Sequence, residues 1–308
     1  MRILVLGGQH IVGGAIVEAL IRDGVEVSVL SRNPHIVAPG VQVLLADRYS
    51  PDQLATVLTG KFDCVVDVSG VDPSMISTLL DVECIRSCSR YIFISSASIY
   101  DRLYSQLPFT ETAAGGGDSI WGDYGAMKWQ CEEILRGSYP GTLFILRPPY
   151  VYGPRNPDLR EQFVWSRAIN GIPIPVPGDG LRRMQFCYSL DLARCVARIT
   201  QAQIVDGGTY NVGGDEVLSQ MEYVRLVAGV AGADADIHSI FKGGLKARDY
   251  FPFRDADFYI NTSKAIRDSI FTPTPIEIGL KATLDWFQKN RTEDLQPNLS
   301  GIDKMLSR

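Results

Sequence analysis

The chain has 308 residues, a formal net charge of −5 and 45% hydrophobic residues, which is typical of globular proteins with a sizeable core. The acidic balance argues against DNA, RNA or an anionic membrane surface as a partner. The first apolar run ends at Gly7, too short for a signal peptide, and no stretch reaches the roughly 18 apolar residues of a membrane span. We therefore expect a cytoplasmic protein whose six scattered cysteines are reduced thiols, with no disulfide or metal site.

Short β-branched runs alternate with helical patterns through the first half of the chain. Strands are predicted at residues 2–6, 25–30, 41–45, 63–68, 91–96 and 142–147, and helices at 13–23, 51–59, 73–87 and 124–136. This alternation predicts an α/β fold, a Rossmann-type doubly wound parallel sheet. After residue 147 the chain becomes rich in proline and glycine, and further helices are predicted at 218–229, 263–269 and 275–290.

The glycine-rich segment GGQHIVGG follows the first strand and opens the first helix. Gly7, Gly8 and Gly13 suit a turn that lets the backbone approach a pyrophosphate at the helix N-terminus. His10 stands where a familiar loop of this kind carries glycine. Taken alone, the segment is equally consistent with a tight turn that binds no ligand.

The second strand ends in Ser31 and Arg32, with no acidic residue to accept hydrogen bonds from a ribose hydroxyl. An arginine with a hydroxyl neighbour suits a 2′-phosphate instead, which favours NADP over NAD. An exposed arginine at a strand end is the simpler alternative. We expect His10 and Arg32 to lie near the adenosine phosphates, so that His10 influences which cofactor is bound.

The segment YGAMK places Tyr124 and Lys128 on one face of a helix. It follows a strand that ends in Ser95, Ser96 and Ser98, and ligands of open α/β sheets bind beyond the carboxyl ends of the strands. A nearby ammonium group favours the phenolate form, so we expect Lys128 to lower the pKa of Tyr124 and make it a base. A serine hydroxyl can hold the substrate oxygen, although strand-end serines commonly serve as caps.

Several ordered stretches together carry a family resemblance: LGGQHIVGG, ADR, SSASIY, YGAMK, LRPPYVYGPR, the GDG before SLDLA, YNVGG, and TSKAI with FTPTPIEIGLKATLDWF. The chain resembles the extended short-chain dehydrogenase/reductases of the NAD-dependent epimerase/dehydratase family, above all the branch with a large residue at the middle glycine of the loop. The resemblance implies a catalytic set of Ser96, Tyr124 and Lys128. It implies a cofactor site at Gly7, Gly8, His10, Ile11, Val12, Gly13, Ser31, Arg32, Asp47, Val68, Ser69, Gly70, Tyr124, Lys128 and Pro148.

The resemblance also implies a division of the chain. Residues 1–150 are expected to bind NAD(P), with return segments from about 181–213, and residues 151–308 to form a smaller, interleaved substrate-binding cap. It further implies a homodimer formed by helices around residues 73–88 and 121–136.

Two departures from the family pattern narrow the expected chemistry. Ala97 and Ser98 stand where the 4,6-dehydratases carry Asp-Glu, which disfavours dehydration. Met184 stands where nucleotide-sugar members place an arginine for the diphosphate, and Tyr188-Ser189 replaces a histidine-valine pair. Both place a nucleotide-sugar substrate in doubt. Candidate substrate residues are Ser98, Tyr150, Arg155, Arg182 and Arg183.

The sequence thus predicts an NAD(P)-dependent epimerase or oxidoreductase acting on a hydroxyl or keto carbon of a sugar or nucleotide sugar, its partner being that small molecule. Two alternatives stay open. One is a non-catalytic member that senses a dinucleotide or associates with RNA, as relatives of the large-residue branch are described to do. The other is a carbonyl reductase of secondary metabolism.

Overall fold

The computed structural model describes residues 1–34, 38–201, 206–241 and 244–295. Its centre is a seven-stranded sheet in which all neighbouring strands are parallel. Numbered along the chain, its strands are β1 (Arg2–Leu6), β2 (Glu26–Ser31), β3 (Gln42–Leu45), β4 (Cys64–Asp67), β5 (Arg90–Ile94), β6 (Thr142–Arg147) and β10 (Gly208–Asn211). Their order, β10-β6-β5-β4-β1-β2-β3, puts the first strand between the two halves, as a doubly wound fold requires.

Helices cover both faces of this sheet because the apolar side chains of each strand alternate between the faces. One face is covered by α1 (Ile11–Arg22) and α7 (Ser189–Gln201). The other is covered by α2 (Pro51–Val57), α3 (Pro73–Leu80), α4 (Glu83–Arg86) and α5 (Tyr124–Ser138). The predicted fold class and the strands that carry it are confirmed.

The predicted helix over residues 73–87 is wrong as a single element. Asp72 caps the start of α3 by accepting a hydrogen bond from the backbone N–H of Ser74. The helix ends at Leu80, and Val82 takes an extended conformation before α4 begins. A β-branched residue loses χ1 freedom in a helix, which weakens the helical pattern at this point.

Two smaller sheets lie beside the carboxyl ends of the central strands. The first, in the order β11-β9-β7, contains β7 (Tyr150–Tyr152), β9 (Arg183–Tyr188) and β11 (Val217–Ser219). The second pairs β8 (Ile174–Pro177) with β12 (Ile237–Ile240). Helices α6 (Arg160–Ile169), α8 (Gln220–Val230), α9 (Ser263–Arg267) and α10 (Ile276–Asn290) complete the second half. An aromatic core joins these elements, with Tyr223 stacked on Phe186.

The chain passes from one part of the molecule to the other more than once. After β9, which belongs to a small sheet, α7 returns to cover the central sheet beside α1, and β10 extends it. The exact domain division and the homodimer stay predictions.

All six cysteines are free thiols, as expected, and Cys84 is the one that is not fully buried. No helix in the described part of the chain is long and apolar enough to cross a membrane.

Candidate functional site

The loop between β1 and α1 is shaped by glycines that no other residue could replace in this backbone. Gly7 has a φ of 89°, in the left-handed region. A Cβ on Gly13 would lie 1.8 Å from the carbonyl oxygen of Gly7, so the helix contacts the loop backbone directly. Helix α1 begins two residues before Gly13, with His10 at its N-cap and no side-chain cap hydrogen bond there. The N–H groups of the first turn are therefore available to a ligand.

A pocket of about 290 Å³, here named the loop pocket, opens beside this turn. It lies between the ends of β1, β2, β3 and β4. Six residues predicted to bind the cofactor line it, namely Gly7, His10, Ser31, Arg32, Asp47 and Ser69. Gly8, Gly13 and Gly70 do not line the pocket; Gly13 packs against the backbone of Gly7, whereas Gly8 and Gly70 pack closely against side chains. Four further residues line the pocket and were not predicted from the sequence: Gln9, Asn33, Arg48 and Tyr49.

Ser31 is oriented by two neighbours of the loop pocket. Its hydroxyl oxygen accepts hydrogen bonds from the side-chain amide of Gln9 (3.0 Å) and from the backbone N–H of Asn33 (3.1 Å). With both lone pairs engaged, the hydroxyl proton is left to donate to an acceptor. Arg32 lies beside it and lines the same pocket. This arrangement suits an anionic or hydroxyl-bearing group at the end of β2.

Arg48 fixes the floor of the loop pocket. It makes a bidentate ion pair with the buried Asp67, with distances of 2.8 and 2.7 Å, and also donates to the hydroxyl of Ser69. Burial would raise the pKa of Asp67, but Arg48 and the hydroxyl of Tyr91 hold that pKa below its usual value. The pair ties the end of β3 to the end of β4. Arg48 directly follows Asp47 in the ADR segment, and this position could have predicted a role for Arg48 at the pocket.

A second cavity of about 410 Å³, the cleft, lies beyond the ends of β4, β5 and β6. It brings together the predicted catalytic residues Ser96, Tyr124 and Lys128. The predicted cofactor residues Ile11, Val12, Val68 and Pro148 and the predicted substrate residues Ser98 and Tyr150 also line it.

The start of α5 lies close to the turn after β5 because Gly125 has no side chain. A Cβ at Gly125 would lie 2.2 Å from the carbonyl oxygen of Ser98. In the turn, the hydroxyl of Ser96 accepts hydrogen bonds from the backbone N–H (3.2 Å) and the hydroxyl (2.9 Å) of Ser98. The Ser96 proton therefore points into the cleft, where it can be donated to the hydroxyl of Tyr124 or to a ligand oxygen. Ser96 does cap the short helical turn that follows it, and the hydrogen bonds of this cap also orient its hydroxyl.

The charges around Tyr124 differ from the sequence-based expectation. Burial of its hydroxyl raises the pKa of Tyr124, while a hydrogen bond with Ser96 and the charge of Arg160 oppose the rise. Tyr124 keeps 42% of its surface exposed, and water in the open cleft weakens the effect of burial. Lys128 is not among the main causes of this shift, and its ammonium group is directed to the carbonyl of Ile94, so its expected influence on Tyr124 stays a prediction.

Lys128 is buried beneath the cleft, one helical turn after Tyr124. Its ammonium group donates to the carbonyl oxygen of Ile94 (2.7 Å) and lies 4.6 Å from the ring centre of Phe93. Burial lowers the pKa of Lys128 to about 8. One turn further, the buried Glu132 accepts hydrogen bonds from the hydroxyl of Ser95 and from Arg147. One face of α5 thus holds both the reactive groups and the turn that carries the serines.

Three arginines predicted to contact the substrate do not line the cleft. Arg155 bonds to Glu18 on α1 (2.5 Å), over the space left by Gly14. Arg182 lies on the outer surface near Asp255 and Asp257, at 3.5 and 3.8 Å. Arg183 starts β9 and places its guanidinium 5.5 Å from the ring centre of Tyr259. The structure therefore does not bring Arg155, Arg182 and Arg183 to the cleft, and their contact with a substrate stays a prediction.

Three other arginines line the cleft instead: Arg160, Arg248 and Arg254. The guanidinium of Arg254 lies 4.3 Å from the ring centre of Trp121 and donates to the carbonyl oxygen of Ile120. Burial lowers the pKa of Arg254, and the charges of Arg248 and Arg160 add to this effect. These cations are thus close enough to repel one another, which favours an anionic ligand among them. No motif predicted them, because Arg160 starts α6 while Arg248 and Arg254 come from a distant segment, and only the fold brings them together.

The model of the NAD dependent epimerase/dehydratase family matches residues 3–213 of the chain. Among curated proteins, the chain is 27% identical over 286 residues to the chloroplast stem-loop binding protein of 41 kDa b of Arabidopsis thaliana, covering 86% of this chain and 73% of that protein.

Two solved structures share the fold over nearly their whole length. One is a UDP-glucose 4-epimerase with UDP-glucose from Thermotoga maritima, with a TM-score of 0.76, 20% identity, and coverage of 94% of this chain and 99% of that chain. The other is a dTDP-glucose 4,6-dehydratase from Bacillus anthracis in complex with NAD, with a TM-score of 0.76, 20% identity, and coverage of 95% and 98%.

Proposed function

Because the chain belongs to the NAD dependent epimerase/dehydratase family, we propose that it is an NAD(P)-dependent enzyme of the extended short-chain dehydrogenase/reductase type. It interconverts a hydroxyl and a keto group on an anionic sugar, most simply a nucleotide sugar. One observation carries the proposal. The cleft is lined by Ser96, Tyr124 and Lys128 together with Arg160, Arg248 and Arg254.

The loop pocket and the adjacent part of the cleft together suit a dinucleotide. The close contact of Gly13 with the backbone of Gly7 leaves the N-terminus of α1 open, and Ser31 and Arg32 line the loop pocket. The residues that would hold it are those of the loop, Asp47, and the segment from Val68 to Gly70. When bound, the nicotinamide accepts or supplies a hydride at the substrate carbon.

Tyr124 and Ser96 act on the substrate oxygen. The Ser96 hydroxyl, already accepting two hydrogen bonds from Ser98, donates its proton to that oxygen and holds it in place. The Tyr124 hydroxyl gives or takes the proton as the oxygen changes between carbonyl and hydroxyl. The raised pKa of Tyr124 keeps the hydroxyl protonated at neutral pH, which suits donation to a carbonyl oxygen.

Lys128 supplies positive charge beneath the cleft. One of its three protons goes to the carbonyl of Ile94, and the others remain for a ribose hydroxyl or for water. With a pKa of about 8, Lys128 is mostly charged at neutral pH and loses this charge as the medium becomes alkaline.

The arginine group supports an anionic substrate. Arg248 and Arg254 line the same cleft as the serine turn, and Trp121 and Tyr150 add aromatic surface. A nucleotide sugar combines a diphosphate, which suits arginine, with a base that suits aromatic surface. Met184 stands where nucleotide-sugar members of the family place an arginine. Here these other arginines supply the positive charge from different parts of the chain.

Epimerisation or reduction fits the cleft better than loss of water. Ala97 is fully buried, and Ser98 is engaged with Ser96. Among the described residues, Asp158 is the one acidic side chain that lines the cleft, and it is paired with Arg160. The acid and base of a dehydratase therefore have no counterpart at the serine turn.

The cofactor preference follows from Ser31 and Arg32. A hydroxyl proton ready to donate and a guanidinium in the same pocket favour the extra phosphate of NADP. The dehydratase structure of similar fold contains NAD, so direct measurement of both affinities is the test of this preference.

The experiment that tests the function uses a panel of UDP- and dTDP-sugars with oxidised cofactor and, in parallel, their 4-keto forms with reduced cofactor labelled with deuterium at the transferred position. A labelled, reduced sugar identifies a reductase, and an unlabelled epimer identifies an epimerase that returns its hydride to the same substrate. Ser96→Ala is the matched variant, expected to lower turnover while leaving the loop pocket intact. A panel that gives no product, or a dehydrated product, contradicts the proposal.

A second candidate is nucleic-acid binding without hydride transfer, which the likeness to a stem-loop binding protein favours. The net charge of −5 opposes it. Filter binding with stem-loop RNA at two salt concentrations separates the two. Salt-sensitive binding together with no turnover on any sugar would support this candidate.

A further inference from the structure

The cleft contains one carboxylate among the described residues, and it is bound to a cleft arginine. Oδ2 of Asp158 accepts a hydrogen bond from Nη2 of Arg160 at 2.5 Å. The Asp158 side chain is 53% exposed and that of Arg160 18%. The carboxylate is therefore on the open side of the pair, where water or a ligand can replace it.

Arg160 is held by contacts that do not depend on Asp158. Its Nη1 donates to the carbonyl oxygen of Val151 (3.2 Å), and its guanidinium lies 5.4 and 5.8 Å from the ring centres of Tyr150 and Phe253. The cation therefore stays in the cleft wall when its carboxylate partner leaves.

The backbone around Asp158 is held in an uncommon conformation. Leu159 has a φ of 48° and a ψ of 36°, a left-handed conformation that is costly for a branched side chain. The buried Asn156 anchors the segment, because its side chain donates to Glu161 (2.9 Å) and accepts from the backbone N–H of Asp158 (3.1 Å). No side chain caps the start of α6, so helix capping does not account for an acidic residue here.

Positively charged side chains outnumber the single carboxylate of Asp158 among the described residues of the cleft. Arg160, Arg248 and Arg254 all line it, so the carboxylate balances one positive charge and leaves an excess. An anionic group that enters the cleft meets this excess and competes with Asp158 for Arg160. A neutral ligand has no charge with which to compete.

We propose that Asp158 is a built-in counter-ion that occupies Arg160 until the anionic part of the substrate displaces it. Asp158 and Arg160 are then specificity-determining residues: together they set how much negative charge a ligand needs in order to bind. The proposal rests on the proposed function only in that the cleft binds an anionic ligand.

The test measures binding of inorganic pyrophosphate by calorimetry at low salt, without any turnover. Asp158→Asn removes the competing charge but keeps the size of the side chain. We expect it to tighten pyrophosphate binding by roughly two- to fivefold, the upper part of the range for a partly exposed ion pair. The gain should shrink as salt is added.

Arg160→Gln locates the effect. It should weaken pyrophosphate binding, and the double variant should show no gain from Asp158→Asn, because there is no longer a cation to release. Asp285→Asn is the matched control, since Asp285 is an exposed carboxylate paired with Lys281 outside the cleft. It changes the net charge equally and should leave pyrophosphate binding unchanged.

Three results would overturn the proposal: unchanged or weaker binding in Asp158→Asn, an equal gain in Asp285→Asn, or a gain that persists without Arg160. Turnover of nucleotide sugars is measured separately on the same variants. If pyrophosphate binding tightens but no nucleotide sugar is turned over, only the proposed function is contradicted. If nucleotide sugars are turned over but pyrophosphate binding does not tighten, only the counter-ion role of Asp158 is contradicted.

Discussion

The loop pocket and the cleft are adjacent but are built in different ways. The loop pocket is made by backbone turns at the ends of four early strands, and all its lining residues lie within positions 7–75. The cleft takes residues from positions 11 to 258 and is shaped by large side chains from helices, strands and loops that lie far apart in the chain. The shape of the loop pocket depends on close backbone contacts. The shape of the cleft depends on side chains that come from distant parts of the chain. The following substitutions separate these two kinds of site.

The largest effect is expected for Gly13→Ala. The new Cβ would lie 1.8 Å from a backbone oxygen that cannot move without opening the loop. We expect loss of measurable NADP and NAD binding and a drop in stability of about 4 kcal/mol, as for severe overpacking. Cofactor fluorescence and thermal melting measure the two effects.

Gly14→Ala is the matched control for this substitution. Its Cβ would meet the flexible end of Arg155 at 3.0 Å, which can move aside. It should bind cofactor normally. Equal behaviour of the two variants would show that the loop backbone does not define the loop pocket.

The loop pocket was predictable because glycine has a direct backbone consequence. Gly7, Gly13 and the strand before them indicate a turn and a helix N-terminus from sequence alone. The helix break at Val82 and the anchor Arg48 were not predicted, since both depend on contacts between separate elements.

Burial of Lys128 predicts a pH-dependent stability. Because the folded pKa is lowered to about 8 from the usual 10.5, the unfolded chain binds an extra proton between these values. Stability should therefore rise as pH increases from about 8 to 10.5. Lys128→Met should be more stable than the parent by about 3 kcal/mol at pH 7, and the advantage should vanish at high pH.

The readout is the difference in melting temperature between the parent and the variant across this pH range. Lys281→Met, at an exposed position, is the control and should leave the slope unchanged. A difference between the parent and Lys128→Met that does not vary with pH would contradict the assigned burial effect.

The arginines of the cleft give the next largest effect. Arg254→Gln should raise the KM for a nucleotide sugar about thirtyfold, near 2 kcal/mol, with a small change in kcat, because it removes a charge-assisted contact. Arg182→Gln is the control, since Arg182 faces Asp255 and Asp257 on the outer surface. Steady-state kinetics on both variants would contradict the assignment if Arg182→Gln had the larger effect.

These arginines also explain why the cleft was less predictable than the loop pocket. Ser96, Tyr124 and Lys128 could be placed because they follow one strand and share one helix face. Arg155, Arg182 and Arg183 lay near the expected position in sequence, but Arg182 and Arg183 lie beside the extended segment around Asp257, away from the cleft. Arg248 and Arg254 enter the cleft from a distant loop, which no spacing rule reveals.

The smallest effect is expected for His10→Gly. His10 is exposed, lines the loop pocket and makes no cap hydrogen bond. We expect the ratio of NADP to NAD affinity to change by about threefold, less than 1 kcal/mol. Titration with both cofactors measures it. An unchanged ratio would mean that His10 is a tolerated variant without influence on cofactor choice.

The central claim is that Tyr124 moves the proton at the reacting carbon, and Tyr124→Phe tests it most directly. With a nucleotide sugar that the parent converts, turnover is followed beside cofactor affinity on the same sample. We expect a loss of turnover of about a thousandfold, with cofactor affinity nearly unchanged, because the substitution removes one hydroxyl from the cleft and leaves the loop pocket intact. Turnover equal to that of the parent would contradict it.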